Sequence, residues 1–300
     1  MLGRAGGAGD LPGGPPGAEV GVLYGQFTDK RGELWVLGVA GGAGRYAERL
    51  AREGFVTLAF DAAYQGESEG EPRGLEDPAH RVEDVKAAVS FLPTRPDVDA
   101  DRVGAFGVCA SGGYVIAAGS TDHRIKAMAT VSAVDMGRQF RLGADGRQDP
   151  AVIQGMLDAA AAARTAEARG EGVGTFPLFP GSESEARQGG LHVYEGWEYY
   201  CTPRGEHPRS AKSFTWNSID RIVSFDAFAR IELIAPRPLL MVVGREAVTS
   251  WMAEEAFESA REPKQLHWIV GASHNDLCDK DEYVTPIVAD LTDFYRQNLK

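Results

Sequence analysis

The segment around Cys109 has the residue types and the spacing that nucleophilic catalysis requires. It reads GVCASGG over residues 107–113 and directly follows the apolar run RVGAF. A strand that turns tightly into a helix holds the residue at the turn in a strained conformation, and such a nucleophile elbow tolerates only small neighbours two positions away. Gly107 and Ser111 are these neighbours, and the N-terminus of the following helix would favour a thiolate through its dipole and free N–H groups. The segment therefore predicts Cys109 as a covalent nucleophile.

Two other interpretations of this segment remain open. Free cysteine is often simply a small buried residue. Ser111 is a rival nucleophile because it stands beside two glycines, but a register with Ser111 at the turn shortens the start of the helix and leaves Gly107 without a purpose. We therefore predict Cys109 as the nucleophile and keep Ser111 as the alternative.

A thiol nucleophile needs a base within hydrogen-bonding reach, and His274 has the strongest context among the six histidines. It ends the loop GASH at residues 271–274, directly after an apolar run that we predict to be a strand. His192 and His207 lie in a long irregular part of the chain, where they could line a pocket, but we expect them to face water. The sequence therefore predicts His274 as the base that draws the proton from Cys109.

The acid that would orient the histidine is less clearly marked. We expect it about three residues after the glycine that ends the run LLMVVG, where the chain has Ala247. The neighbouring Glu246 has a longer side chain that could reach His274, and Asp135 and Asp276 are the alternatives. Cysteine depends less than serine on this residue, because a thiol is far more acidic than a hydroxyl. We predict Glu246 as the acid and leave both aspartates open.

Backbone N–H groups at two places could stabilise the oxyanion of an acyl intermediate. One belongs to Ala110, directly after the predicted nucleophile. The other belongs to the glycine-rich loop VAGGAG at residues 39–44, where Ala40 or Gly41 is the candidate donor. Glycine lets a backbone N–H approach an oxygen closely, so we predict an oxyanion hole made of Ala110 with Ala40 or Gly41.

Apolar runs separated by helical patterns must position these residues. Runs that are continuous rather than alternating, such as residues 34–39 and 55–60, indicate a parallel sheet with helices on both faces. The regular pattern breaks between residues 135 and 230, a length too great for a simple crossover. We predict that residues 137–218, called the insertion below, form a helical cap over the carboxyl edge of the sheet, where α/β folds bind ligands. An aromatic cluster of the insertion could contact an acyl group or pack the cap itself, and it comprises Tyr194, Trp197, Tyr199 and Tyr200.

The composition disfavours several classes of protein. A net charge of −12 and a pI near 5.0 disfavour binding to nucleic acid and to anionic membranes. Three scattered cysteines are too few for a disulfide framework or a zinc site, so we predict no metal. No run approaches the roughly 20 apolar residues of a membrane span. Residues 1–19 lack the apolar core of a signal peptide, so we expect a flexible tail on a cytoplasmic protein whose residues 20–300 form a single domain.

Taken together, these segments resemble the dienelactone-hydrolase-like branch of the α/β-hydrolase superfamily, whose members often carry cysteine in a Gly-x-Cys-x-Gly-Gly elbow. The likeness rests on residues 54–68, 102–113, 235–244 and 270–274. The chain order of nucleophile, acid and histidine is also that of the superfamily. The resemblance implies an α/β-hydrolase fold with a mostly parallel central sheet. It also implies a hydrolase of carboxylic esters, lactones or thioesters that uses no metal or organic cofactor.

The sequence departs from the family pattern in three places. Ser111 stands where glycine is usual, Ala247 stands where the acid is expected, and one predicted strand at residues 20–24 stands in place of two. We predict a hydrolase that forms an acyl-cysteine intermediate with a small-molecule acyl substrate, with a homodimer as a possible assembly. The alternatives are an acyltransferase or cyclase of secondary metabolism that uses the same site, and a catalytically degenerate binding protein of the same fold.

Overall fold

The computed structural model describes residues 34–39, 43–95, 98–207 and 210–300. The predicted tail and the predicted strand at residues 20–24 lie outside them. Within the described residues the chain forms a six-stranded parallel sheet and a small antiparallel pair of strands. In chain order the strands are β1 (Leu34–Val39), β2 (Phe55–Phe60), β3 (Val103–Val108), β4 (Ala127–Val131), β5 (Thr175–Pro177), β6 (Ser213–Thr215), β7 (Leu239–Gly244) and β8 (Lys264–Ile269).

The large sheet has the strand order β2-β1-β3-β4-β7-β8. The chain moves to one side of β1 for β2 and then to the other side for β3, so the order reverses between β1 and β3. In open parallel sheets, ligands bind at such a switch point, outside the carboxyl ends of the strands. Because β3 ends at Val108, the predicted nucleophile Cys109 lies at this point of the fold.

Helices connect these strands, and their ends follow local sequence signals. Asp77 caps α2 by accepting the N–H groups of Ala79 and His80, and Pro78 takes the first helical position, where its missing N–H costs nothing. In chain order the described α-helices are α1 (Ala43–Arg52), α2 (Pro78–Phe91), α3 (Ala110–Thr121), α4 (Met136–Leu142), α5 (Pro150–Ala168), α6 (Glu183–Gln188), α7 (Leu191–Cys201), α8 (Ile219–Val223), α9 (Ser250–Ser259), α10 (Asp276–Asp279) and α11 (Asp281–Asn298).

Both faces of the sheet are covered, as the continuous apolar strands predicted. Within β7, Met241 belongs to one buried cluster, while its neighbours Leu240 and Val242 belong to the other. The first cluster includes residues of α2, α3 and α9, and the second includes residues of α1 and α11. The alternation along β7 therefore places helices on the two opposite faces of the sheet. This is the α/β-hydrolase fold that the sequence predicted.

The insertion contains α4 to α7 and the antiparallel pair of β5 with β6. Its apolar side chains form a third buried cluster that includes Ile153, Phe176 and Phe214 and continues into α8 through Ile219. Since this cluster is separate from the two that flank the sheet, the insertion packs around a core of its own. None of the helices in the described part of the chain is long and apolar enough to cross a membrane.

Candidate active site

Cys109 occupies the turn between β3 and α3 in a conformation that few side chains adopt. Its φ is +56° and its ψ is −127°, and only two other non-glycine residues in the described ranges have a positive φ. The turn is held on both sides, because the Cys109 N–H donates to Val131 O at 3.0 Å and its carbonyl accepts from Val134 N at 3.0 Å. Such strain persists only where the surrounding structure enforces it, and it often marks functional sites.

Glycine is required beside this turn by close packing. A Cβ on Gly107 would lie 2.4 Å from the backbone oxygen of Ser111, and one on Gly113 would lie 2.3 Å from Val134 O. Either side chain would push α3 away from the sheet. The pattern of small residues in the sequence thus corresponds to a helix that starts directly on top of β3.

Ser111, the alternative nucleophile, lies in the first turn of α3 rather than at the strained turn. Its hydroxyl accepts the N–H of Val108 at 2.9 Å and donates to the carbonyl of the same residue at 2.7 Å. Both bonds are buried, so they hold the hydroxyl against the end of β3. The residue presented at the turn is Cys109.

The surroundings of the Cys109 sulfur favour the neutral thiol. Burial raises its pKa to about 11, and a hydrogen bond with the backbone of Ala110 opposes this rise only in part. The sequence led us to expect that the helix N-terminus would favour a thiolate. That expectation stays a prediction, and the burial of the sulfur opposes it while the backbone of Ala110 supports it.

His274 lies in the loop after β8 and is almost completely buried, with 1% of its surface exposed. Its Nδ1 lies 2.7 Å from the hydroxyl oxygen of Thr249, and its Nε2 is buried without a hydrogen-bond partner among the described residues. Burial lowers its pKa to about 3, with a further contribution from His192. The imidazole is therefore neutral across the whole physiological pH range.

No predicted acid contacts His274 within the described part of the chain, and this corrects the prediction of Glu246. The chain turns after β7 so that the Glu246 N–H donates to Ala272 O while its side chain faces solvent. Ala247, at the position where an acid is usual, is buried. The partner of the imidazole is instead Thr249, directly before α9. No rule of sequence spacing identified Thr249, because a neutral hydroxyl in this role has no established sequence pattern.

The two alternative acids have other partners. Asp135 is fully buried and caps α4, accepting from Arg138 N at 3.1 Å and from Ala227 N at 2.9 Å, and its burial raises its pKa to about 6. Asp276 accepts from Lys280 and from Arg204, the latter at 3.1 Å. The hydrogen bonds of both aspartates therefore stabilise helices and loops around the site.

The insertion brings a second histidine next to the first. The rings of His192 and His274 meet edge to face, with centroids 5.4 Å apart and planes at 86°. The Nε2 of His192 lies 3.1 Å from the amide nitrogen of Gln139, and its Nδ1 is buried and unpaired within the described ranges. Burial also lowers the pKa of His192. The expectation that His192 faces water was wrong, because the fold of the insertion could not be derived from local patterns.

The predicted aromatic cluster divides between two surroundings. Tyr200 stacks on Phe179 with ring centroids 5.1 Å apart, and it packs against the same buried cluster as Cys109. Tyr194 and Trp197 instead stack on each other, and Arg187 lies over the ring of Tyr194. Tyr199 is a buried member of that same cluster, and its ring meets that of Tyr200 at 4.8 Å. Of the four aromatic residues, Tyr199 and Tyr200 are therefore the two that share a buried cluster with Cys109.

Of the predicted oxyanion donors, Ala110 begins α3 beside the thiol. Ala40 and Gly41 lie outside the described residues. A search of the described ranges finds no group of three or more histidine, cysteine, aspartate or glutamate side chains that could hold a metal ion. The contacts described above bring Thr249, His274 and His192 together, and the tight turn places Cys109 at the carboxyl end of β3.

A buried ion pair between Glu76 and Arg81, which the sequence did not reveal, contacts α3 through Tyr114. Glu76 accepts from Arg81 and from the hydroxyl of Tyr114, the latter at 2.7 Å. The backbone N–H of Glu76 donates to the hydroxyl of Ser218 at 2.9 Å, at the end of the insertion. This network joins α2, α3 and the insertion, so it fixes the helix that follows Cys109.

Sequence comparisons relate this chain to proteins of one family. The model of a family described as X-Pro dipeptidyl-peptidase (S15 family) matches residues 20–176. The uncharacterized protein YcjY of Escherichia coli (strain K12) is 39% identical over 258 residues, which make up 86% of this chain and 84% of that protein. PA2218 of Pseudomonas aeruginosa is 35% identical over 247 residues, or 79% of this chain and 64% of that protein.

Solved structures share the fold along nearly the whole chain. The crystal structure of PA2218 aligns with a TM-score of 0.82 at 27% identity, covering 100% of this chain and 99% of that one. The structure of DcsB in complex with its substrate analogue aligns with a TM-score of 0.78 at 20% identity, covering 90% and 92% of the two chains. The chain is also similar to esterases, lipases and fungal acyltransferases.

Proposed function

Because the chain belongs to the X-Pro dipeptidyl-peptidase (S15) family of the α/β-hydrolase superfamily, we propose that it cleaves an ester, lactone or thioester through an acyl group carried on Cys109. The observation that carries this proposal is the strained backbone of Cys109, with a φ of +56° at the strand-to-helix turn. A merely structural cysteine needs no such conformation. The resemblance of the elbow sequence to that of cysteine-bearing dienelactone-hydrolase-like enzymes also supports the proposal.

The proposed reaction starts from a neutral thiol and a neutral imidazole. With the thiol pKa near 11 and the His274 pKa near 3, proton transfer accompanies attack instead of preceding it. As the sulfur bonds to the carbonyl carbon, the thiol proton passes to Nε2 of His274, and the N–H of Ala110 stabilises the oxyanion together with a donor from Ala40 or Gly41. Collapse of the intermediate breaks the bond to the leaving group, which departs with the electron pair and takes the proton from His274.

Release of the acyl group completes the cycle. His274 takes a proton from the acceptor, whose oxygen bonds to the acyl carbon. The bond from that carbon to sulfur then breaks, and the sulfur leaves with the electron pair and receives the proton from His274. Water as the acceptor gives hydrolysis, and an alcohol gives acyl transfer.

The partner of His274 narrows the class of substrate. A carboxylate partner stabilises the imidazolium that forms during catalysis, whereas the hydroxyl of Thr249 carries no charge. His274 is therefore a weak base, and its protonated form receives no stabilising charge. The reaction therefore favours substrates whose leaving groups are stable as anions. We expect thioesters and esters of acidic alcohols to react, and we expect peptide amides, whose amine must be protonated to leave, to be poor substrates.

Acyl transfer is the second candidate. The similarity to fungal acyltransferases favours it, and so does the burial of His274 Nε2, which restricts access of bulk water to the base. Product analysis with and without added small alcohols separates the two reactions, because a transferase forms the new ester at the expense of free acid. The proposed partner in either case is a small acyl compound bound under the insertion.

Turnover of a panel of acyl thioesters and aryl esters tests the proposal. We expect measurable turnover by the native protein and none by Cys109→Ala, with the thermal unfolding of the two proteins alike. Cys201→Ala is the matched control, since Cys201 ends α7 and has no role in the proposed reaction. Full activity of Cys109→Ala on any substrate of the panel would rule out the proposal, and absence of turnover by the native protein would favour a binding protein.

A further inference from the structure

Two imidazole nitrogens lie near each other in the site without hydrogen-bond partners in the described part of the protein. They are Nδ1 of His192, from the insertion, and Nε2 of His274, from the loop after β8. Both atoms are buried, and a buried polar atom without a partner is unfavourable unless something pairs with it at some stage of function. The two rings meet edge to face with centroids 5.4 Å apart, and one oxygen bound between them at about 2.9 Å from each nitrogen would satisfy both.

The surrounding hydrogen bonds give the two nitrogens opposite roles. The side-chain amide of Gln139 donates to Nε2 of His192, so the ring proton of His192 resides on Nδ1, which is a donor. The hydroxyl of Thr249 can either donate to Nδ1 of His274 or accept from it. In the tautomer that the proposed reaction requires, Nδ1 donates to this hydroxyl and Nε2 is a hydrogen-bond acceptor. The site therefore offers one hydrogen-bond donor, on His192, and one hydrogen-bond acceptor, on His274.

A hydroxyl is the group that pairs with both. Its oxygen accepts from His192 Nδ1–H while its hydrogen is donated to His274 Nε2. The leaving group departs while Nε2 of His274 carries the thiol proton, so the arrangement of one donor and one hydrogen-bond acceptor is present only when the acyl acceptor binds. The complementarity thus favours the acceptor of the acyl group over the leaving group.

We propose that His192 is a further catalytic residue that, together with His274, holds the hydroxyl of the acceptor that releases the acyl group from Cys109. This inference rests on the proposed function. In the step, the hydroxyl proton passes to His274 Nε2, and the oxygen forms the bond to the acyl carbon. The bond from that carbon to sulfur breaks with its electron pair going to sulfur. His192 keeps its proton throughout and orients the attacking oxygen.

The position of His192 depends on the docking of α7. Arg204, just after this helix, donates to Asp276 at 3.1 Å and to Asp279 at 2.8 Å, and it also pairs with Glu198 of α7. These bonds hold the insertion against α10, directly after the loop that carries His274. The proposed binding site for the hydroxyl of the acyl acceptor therefore contains His192 only when the insertion is in this position.

The test measures release of the acyl group separately from its loading. The acyl-enzyme is formed with an aryl ester in excess, freed of reagent by rapid gel filtration, and its decay is followed by intact-mass spectrometry. For His192→Phe we expect loading within about twofold of the native rate and decay slowed about tenfold or more. His192→Asn, whose amide N–H replaces Nδ1–H, should recover most of the decay rate, and Gln139→Leu should give an intermediate loss.

His123→Phe is the matched control, since His123 is exposed and lies away from the insertion. It should leave both rates unchanged. The inference is overturned if His192→Phe releases the acyl group at the native rate. Equal slowing of loading and release, with no recovery in His192→Asn, would also overturn it, because that pattern reflects a structural role. If the native protein forms no acyl-enzyme, the proposed function fails, and this inference fails with it.

Discussion

Thr249 and His274 form a buried hydrogen bond, with Oγ1 of the threonine 2.7 Å from Nδ1 of the histidine. In hydrolase triads a carboxylate has this position, where it orients the imidazole and stabilises the imidazolium. A hydroxyl can orient the ring but adds no charge, and burial lowers the pKa of His274 to about 3. The proposed chemistry at Cys109 therefore depends on a base that stays neutral at rest.

Removal of the Thr249 hydroxyl should slow the reaction without unfolding the protein. We expect Thr249→Val, which keeps the shape of the side chain, to lower kcat/KM on an aryl ester about tenfold, because the imidazole loses the bond that orients it. Thr249→Ser keeps the hydroxyl and should stay within about threefold of native. An unchanged kcat/KM in Thr249→Val would show that this bond does not contribute to catalysis.

The thiol of Cys109 should react as a protonated group at neutral pH. Since burial raises its pKa to about 11, the rate of alkylation by iodoacetamide at this residue should rise about tenfold per pH unit through pH 8 to 10. Peptide mass mapping measures the rate at Cys109, and Cys109→Ala gives the background. A rate that levels off below pH 8 would indicate a thiolate and contradict the neutral resting state.

His274 should make the stability of the native protein fall in acid. Its folded pKa of about 3 lies below the usual 6.5, so the unfolded chain binds the proton more readily. The resulting stability is present above pH 6.5 and is lost as the pH falls toward 3, at up to about 1.4 kcal/mol per pH unit. We expect the free energy of unfolding, measured with urea from pH 7 to pH 4, to fall more steeply for the native protein than for His274→Asn. Parallel pH dependence of the two would contradict a buried neutral imidazole.

The network around Glu76 should contribute strongly to stability. Glu76→Gln leaves Arg81 buried without its charged partner, and we expect a loss of about 3 kcal/mol in the free energy of unfolding. The control is Glu83→Gln on α2, the helix that carries Arg81, which breaks an exposed pair with Lys86 and should cost about 0.5 kcal/mol or less. Similar losses in both variants, by urea denaturation, would argue against a structural role for the buried pair.

Gly107 should tolerate no side chain, because an added Cβ would lie 2.4 Å from Ser111 O. We expect Gly107→Ala to lower the free energy of unfolding by about 2 kcal/mol and to abolish turnover by displacing the start of α3. Gly155→Ala, in the exposed middle of α5 with no atom within 4 Å of the new Cβ, should instead stabilise the protein by up to about 1 kcal/mol. A fully active Gly107→Ala would show that the turn is less constrained than its packing indicates.

The sequence was sufficient for the features that local patterns determine. Continuous apolar runs predicted the strands of the large sheet, and the small residues around Cys109 predicted the turn that precedes α3. These features depend on backbone periodicity and on steric limits, which neighbouring residues encode. The parallel sheet with two covered faces followed from the same runs, and the resemblance to a known family implied the α/β-hydrolase fold.

The partners of His274 could not be predicted in this way. Thr249 reaches the imidazole because α9 begins beside the loop after β8. His192 reaches it because Arg204, just after α7, holds this part of the insertion against α10. Both contacts join residues that lie more than 20 positions apart in the sequence, so they depend on tertiary packing. Spacing rules favoured Glu246 because they assume a carboxylate, and the chain places that side chain in solvent.

Trapping of the acyl intermediate tests the central claim most directly. The native protein is mixed with an aryl ester, quenched in acid within seconds, and examined by intact-mass spectrometry and peptide mapping. The account predicts one added acyl group, located on Cys109 and absent from Cys109→Ala. An acyl group on Ser111, or turnover without any acylated cysteine, would contradict it.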